Sequence, residues 1–229
     1  MSEENKESRL QRGVLVEFDY AVMPGHRIML DVCKKKFAEH KLEIDGILMA
    51  RYMFGRSFVA GLSALCRAQD ISSFEVSDMA EECNNLFAER VKAELKDVPG
   101  GFIDFVKALA EKELKVVLFS RVESEVLQAL FPDLTEEQLG VSEDMTSSFC
   151  FTSWEGWRRF ARKNDLHERL CVSICGSGLS VKGALTAGVS SIVRENDMVA
   201  YQDISGCDKK IEEFDPSLIK EVERLLHLG

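Results

Sequence analysis

Short apolar runs, spaced along the chain between helical stretches, constrain the fold of this sequence more than any other feature. The longer runs have four or five residues and are rich in β-branched side chains, which is typical of strands buried on both faces. They are Gly13–Val16, Val116–Phe119, Leu170–Ile174 and Val189–Val193, and Phe149–Phe151 is a shorter fifth. Because amphipathic helical stretches alternate with these runs, the sequence predicts a parallel sheet covered by helices on both faces.

A long region without strand character separates the first two runs. Apolar residues recur at helical spacing in four stretches of this region, which predicts an inserted bundle of four helices. The predicted architecture is an α/β protein with a Rossmann-like parallel sheet core, flanked by helices, and an inserted all-helical cap. The predicted divisions are a polar tail over residues 1–12, a core over residues 13–23 and 98–229, and a cap over residues 24–97.

Composition limits the partners of this chain. Its 229 residues carry 39 acidic against 29 basic side chains, and this net charge of −10 argues against nucleic acid or an anionic membrane as the main partner. The polar N-terminal segment does not read as a signal peptide or an anchor, and no apolar run approaches the roughly 20 residues of a membrane span. The 7 cysteines are odd in number and scattered, which indicates reduced packing residues and predicts a cytoplasmic protein.

In a parallel sheet of this kind, ligands bind where the strands end. The segments that follow the predicted strands are Glu17–Tyr20, Ser120–Arg121, Thr152–Trp154 and Cys175–Ser180. An acid-x-acid pair ends the first strand, Val-Pro-Gly-Gly follows the helical insert, and Val-Val-Leu-Phe-Ser and Ile-Cys-Gly-Ser-Gly-Leu-Ser come later in the chain. This order of motifs, from about residue 13 to 205, resembles the haloacid dehalogenase (HAD) superfamily, specifically its β-phosphoglucomutase-like phosphatase branch with a helical cap.

The resemblance implies that the first strand ends in two acids, of which the first attacks phosphorus and the second donates and accepts a proton. Two registers are open. If Asp19 is the nucleophile, Ala21 replaces the proton donor and Glu17 lies among apolar strand positions. If Glu17 and Asp19 fill the two acid positions, the nucleophile is a glutamate. We prefer the second register because it leaves nothing charged in the core.

The resemblance further implies that Ser120 binds the phosphoryl oxygens and that Arg121, Gly176 and Ser177 contact the ligand. In the family, an Asp of the Gly-Asp-Ser motif binds Mg²⁺. Gly176 stands at that position, so Glu17 and Asp19 are the metal candidates that remain, and the sequence gives weak support to a bound Mg²⁺.

Two further positions bear on the ligand. The family's Lys-Pro is absent near Phe151, so the lysine that neutralises nucleophile and phosphate is missing. In the cap, Arg56 stands in a loop similar to the family's substrate loop, where it could meet an anion. The same loop also fits a plain helix break, with Gly55 ending one helix and Ser57 opening the next.

These departures predict a loss of hydrolysis. Mg²⁺ and lysine supply charge stabilisation, which dominates phosphoryl transfer. We therefore expect a HAD-like protein with a degraded site that binds a small phosphorylated or anionic metabolite, or a protein partner, without turning it over. The alternative is an active phosphomonoesterase that uses Glu17 or Asp19 in a rearranged site. A scaffold that only oligomerises is a third interpretation.

Overall fold

The computed structural model of the protein describes residues 11–142 and 153–227. Within these ranges, six parallel strands form one sheet in the order β3-β2-β1-β4-β5-β6. The strands are β1 (Gln11–Glu17), β2 (Lys115–Phe119), β3 (Leu139–Ser142), β4 (Leu166–Cys175), β5 (Ser190–Arg194) and β6 (Lys209–Ile211). The predicted α/β fold with a parallel sheet is confirmed.

Helices account for most of the remaining described residues. Four lie between β1 and the Pro-Gly-Gly segment: α1 (Gly25–Glu39), α2 (Gly46–Tyr52), α3 (Phe58–Ala68) and α4 (Val76–Ala93). Those of the core are α5 (Gly100–Glu111), α6 (Ser124–Gln128), α7 (Trp154–Lys163), α8 (Gly178–Ala187) and α9 (Ser217–Leu225). The helical insertion predicted as a cap is therefore present as four helices.

Several boundaries differ from the sequence-based expectation. The tail was expected to extend to residue 12, but Gln11 and Arg12 already belong to β1. Strand β4 is twice the expected length, because it begins at Leu166. The edge strands β3 and β6 were not predicted. The predicted strand Phe149–Phe151 and residues 1–10 of the tail lie outside the described residues.

The sheet has an apolar layer on each face. Val14 and Val16 of β1 face a large cluster that includes helix α5 and the cap, while Leu15 faces a smaller one built on α7 and α8. Trp157 of α7 is fully buried in the smaller cluster, with its ring 6.5 Å from that of Phe119. Burial on both faces explains why the central strands are continuous apolar runs.

The pairing of the central strands fixes where the candidate site lies. Val16 of β1 pairs with Leu118 of β2 on one side and with Ile174 of β4 on the other. The three strands therefore end side by side, and the segments that follow them meet at one edge of the sheet. Among the described residues, no helix is both long and apolar enough to cross a membrane.

Candidate functional site

The site is built on the ends of β1, β2 and β4. Strand β1 ends at Glu17, and the chain then enters a short π-helical turn, Phe18–Val22, which carries Asp19. Ser120 and Arg121 follow β2, and Gly176 and Ser177 follow β4. All the core residues predicted for the site therefore come together, because parallel strands present their carboxyl ends at one edge.

Asp19 is fully buried and hydrogen-bonded through both oxygens. The Ser120 hydroxyl donates to Oδ1 at 2.5 Å. The Arg121 backbone N–H donates to Oδ2 at 3.0 Å, and Nη1 of the same residue lies 3.3 Å from that oxygen. Burial raises the pKa of Asp19, and the Arg121 charge and the Ser120 bond offset part of that effect.

Glu17 is equally buried, with 1% of its surface exposed. Its Oε2 accepts the Gly176 backbone N–H at 2.7 Å, and the Ser180 hydroxyl is a second partner. Burial raises the pKa of Glu17 from 4.5 to about 7, against the opposing effect of these hydrogen bonds. The expectation that the second register leaves nothing charged in the core is therefore wrong, since both acids are buried and Asp19 forms an ion pair with Arg121 there. The strand reaches Glu17, and polar donors on the neighbouring segments make the burial tolerable.

Arg121 stands beside Asp19 as an internal cation. Only 3% of its side chain is exposed. Besides Asp19, Nη1 lies 3.3 Å from the Tyr20 hydroxyl, and Nε donates to Oδ1 of Asn84 at 3.0 Å. The positive charge predicted to meet a ligand is thus already engaged by groups of the protein.

Ser177 serves the helix that follows it. Its hydroxyl caps α8 by accepting the Ser180 N–H at 3.2 Å, and the two hydroxyls are 2.6 Å apart. A side chain at Gly176 would collide with the Cβ of Tyr20, so the site has no room for a carboxylate at this position.

The cap rests directly on this end of the core. Gly55 has φ +77°, and a Cβ there would lie 2.5 Å from the Ser177 hydroxyl oxygen and 3.0 Å from the Cβ of Leu179. Ser57 caps α3 by accepting the Ala60 N–H, so this loop is the helix break that the sequence allowed. Arg56 beside it is half-buried, and its Nε has no hydrogen-bond partner among the described residues.

Aromatic rings fill the space between the two acids and the cap. The Tyr20 ring lies 4.9 Å from His26 and 5.7 Å from Phe87, and His26 lies 4.5 Å from Phe54. Each of these side chains is at most 2% exposed. Burial lowers the pKa of His26 to about 3, so its imidazole is neutral at ordinary pH. A cleft of about 300 Å³ reaches Tyr20 and His26, but neither Glu17 nor Asp19 lines it.

The donor set does not fit Mg²⁺. This ion needs several free oxygen ligands in an octahedral arrangement. Here Glu17 and Asp19 already accept hydrogen bonds from the protein, and Gly176 offers no side chain. Within residues 11–142 and 153–227, no three His, Cys, Asp or Glu side chains converge as a metal site. The expectation of Glu17 and Asp19 as metal ligands therefore finds no support in the geometry.

Sequence reasoning missed the cap's contribution to the site. Asn84, Phe58 and Phe87 all contact Arg121, yet no local motif marks them, and Asn84 lies 37 residues before it in the chain. The Tyr20 ring, which packs against His26 and Phe87, was likewise not singled out.

A parallel sheet with acids at the end of its first strand, and with a four-helix insertion between the first two strands, defines the fold class of this molecule. The chain has the β-phosphoglucomutase-like fold of the HAD superfamily. β-Phosphoglucomutase from Clostridium difficile matches with a TM-score of 0.74 at 14% identity, over 96% of this chain and 100% of that chain. A hydrolase from Pseudomonas syringae matches with a TM-score of 0.71 at 15% identity, over 93% and 99%.

A third match is a HAD hydrolase of family IA, variant 3, from Entamoeba histolytica, with a TM-score of 0.69 at 15% identity, over 95% of this chain and 100% of that chain. No protein-family model matches the sequence, and no curated protein matches it. At these identities the comparisons establish the fold, so function has to be argued from the site.

Proposed function

We propose that this protein is a HAD-fold protein that does not hydrolyse phosphate esters and acts by binding. One observation carries the proposal: the two strand-end carboxyls, Glu17 and Asp19, are buried and satisfied by the protein's own donors. A nucleophilic carboxylate has to reach phosphorus, with its reacting atoms about 3–3.5 Å apart. Neither carboxyl is open to such an approach.

Electrostatics supports the same conclusion. Phosphoryl transfer relies on cations that neutralise the developing charge. The cation nearest to Asp19 is Arg121, and Asp19 itself is its partner at 3.3 Å. Without a carboxylate at Gly176, a metal ion lacks the ligand that would hold it there. The arrangement therefore supplies little charge stabilisation to a bound phosphate.

Two kinds of ligand are compatible with a binding function: a small phosphorylated or anionic metabolite, and a protein partner. We favour the protein partner, because a small anion at this site would have to displace Asp19 from a buried guanidinium. The acidic net charge of −10 makes nucleic acid and anionic membrane poor partners. A cytoplasmic location remains part of the proposal, since the 7 cysteines are odd in number and scattered along the chain.

The test is hydrolysis of a generic phosphomonoester and a panel of sugar phosphates, with and without Mg²⁺, by the wild type and the Asp19→Asn variant. We expect no phosphate release above background from either protein. Circular dichroism would show that both proteins are folded. Mg²⁺-dependent release that disappears in Asp19→Asn would overturn the proposal. The protein would then be an active phosphomonoesterase that uses Glu17 or Asp19 in a rearranged site.

A further inference from the structure

Arg121 connects the two halves of the molecule. On the core side, its backbone N–H and Nη1 both contact Oδ2 of Asp19, and Nη1 also lies 3.3 Å from the Tyr20 hydroxyl. These contacts fix the residue just beyond the end of β2. Because the guanidinium is planar and carries several donors, its Nε and its flat faces can contact other groups at the same time.

Those other groups belong to the cap. Nε of Arg121 donates to Oδ1 of Asn84 on α4 at 3.0 Å. The guanidinium carbon lies 4.9 Å from the Phe87 ring centroid and 5.6 Å from that of Phe58, on α4 and α3 respectively. One side chain therefore makes an ion pair with the core and a hydrogen bond and cation–π contacts with the cap.

Burial makes these contacts strong. Asp19 is 0% exposed and the Arg121 side chain 3% exposed, so water screens the pair poorly. If the cap moved away, Arg121 would either lose Asn84 and the two rings or leave Asp19 unpaired inside the core. In both cases a buried charged group loses partners, and the cost in free energy is larger than that of losing an exposed ion pair.

We infer that Arg121 is a pin that holds the cap closed on the core through Asp19 on one side and Asn84 on the other. The chain crosses between the two halves near Met23 and Val98, and Arg121 adds a separate contact to the cap at Asn84, in the middle of α4. Arg121 therefore restrains opening about those crossings. The inference deepens the proposed function and rests on it, because a pinned cap keeps substrates away from Glu17 and Asp19.

The test is hydrogen exchange, followed by mass spectrometry, on the wild type, Asn84→Ala and Asn85→Ala. Asn84→Ala removes the cap partner and leaves the Arg121–Asp19 pair intact. Asn85 is exposed on the same helix and is the matched control. Since a hydrogen bond to a charged group is lost, we expect roughly tenfold faster exchange at the cap–core contact, in residues 53–58 and 177–180, with β1 and β2 unchanged.

A second variant tests the guanidinium itself. Arg121→Lys keeps the charge but lacks the planar fork that reaches Asp19 and Asn84 together, so it should exchange like Asn84→Ala. Equal exchange in Asn84→Ala, Asn85→Ala and the wild type would overturn the pin. Uniformly faster exchange across cap and core would also overturn it, by showing a global loss of stability. Exchange reports opening and not turnover, so phosphate release by the wild type would refute the proposed function separately.

Discussion

At the scale of single residues, the site confines two carboxyl groups in an interior that favours their neutral forms. They differ in their partners. Asp19 has the Arg121 guanidinium beside it, whereas Glu17 has a backbone amide and a hydroxyl as its direct donors. A full positive charge compensates a buried carboxylate better than dipoles do. The charge on Glu17 is therefore the one that the folded protein tolerates least near neutral pH.

Replacing Glu17 with Gln should flatten the pH dependence of stability between about pH 4.5 and 7. The folded-state pKa of Glu17 is about 7, against an ordinary value of 4.5. In this window the folded protein holds a proton that the unfolded chain has lost, so stability falls as pH rises through it. One such proton corresponds to a slope of up to about 1.4 kcal/mol per pH unit. Urea unfolding at a series of pH values from 4.5 to 8 measures this slope of the unfolding free energy against pH.

The control for this experiment is Glu81→Gln, at an exposed position of α4. This variant should keep the wild-type slope, because the carboxyl that it removes is exposed to water in the folded protein. Identical slopes for the wild type and Glu17→Gln would contradict the prediction. They would mean that Glu17 is ionised in both the folded and the unfolded states across the window.

The core residues of the site were predictable and the cap residues were not. Asp19 and Ser120 lie within two residues of the ends of apolar strands, and the geometry of parallel sheets brings such positions together. Asn84 and Phe87 lie on an amphipathic helix whose pattern shows which face is buried but not what it meets. Their contact with Arg121 depends on how the cap docks, which is a tertiary property with no local signature.

At the scale of elements, the sequence pattern predicted the strands that are buried on both faces and missed the strands at the sheet edges. The central strands β1 and β2 are uninterrupted apolar runs because helices cover them on both sides. Strand β6, Lys-Lys-Ile, has no such pattern and owes its conformation to pairing with β5 along the sheet edge. The first half of strand β4 was missed because its residues alternate between buried and more exposed positions and form no apolar run. Short or alternating strands are thus fixed by their neighbours.

The contact between the cap loop and helix α8 can be tested with a matched pair of glycines. Gly55→Ala should destabilise the protein by about 1–3 kcal/mol more than Gly188→Ala, because of overpacking. Both glycines have positive φ, +77° and +79°, so both substitutions strain the backbone alike. Only at Gly55 would the new methyl meet Ser177 and Leu179, since Gly188 has open space around it. Urea unfolding of both variants measures the difference.

Equal losses of stability in the two variants would contradict a tight contact between cap and core. They would show that backbone strain is the whole cost at Gly55. The extra loss at Gly55 would be assigned to this pair if Gly55→Ala costs less stability in a Ser177→Gly background than in the wild type, because coupled residues are not additive.

At the scale of the whole molecule, the cap, the π-helical turn and the three central strands form one closed unit around Asp19. The rings that occupy the space between them belong to Tyr20, His26, Phe54 and Phe87. The apolar cluster runs without a break from the sheet into the cap, so closing the cap buries surface that an open form would expose to water. Closure of the cap is therefore favoured by the same apolar burial that holds the core together.

A molecule closed in this way should show no specific stabilisation by Mg²⁺. An ion that binds the folded state stabilises it by ~2.7 kcal/mol at a hundredfold excess over its dissociation constant, which raises the unfolding temperature by roughly 5–10 °C in a domain of this size. Since Glu17 and Asp19 are already bonded within the protein, we expect unchanged unfolding temperatures in Mg²⁺ and in chelator. The acidic surface attracts any cation, so NaCl at matched ionic strength is the control. A rise specific to Mg²⁺ that is reversed by chelator and lost in Asp19→Asn would contradict the prediction, and would mean that the two acids can turn towards a metal.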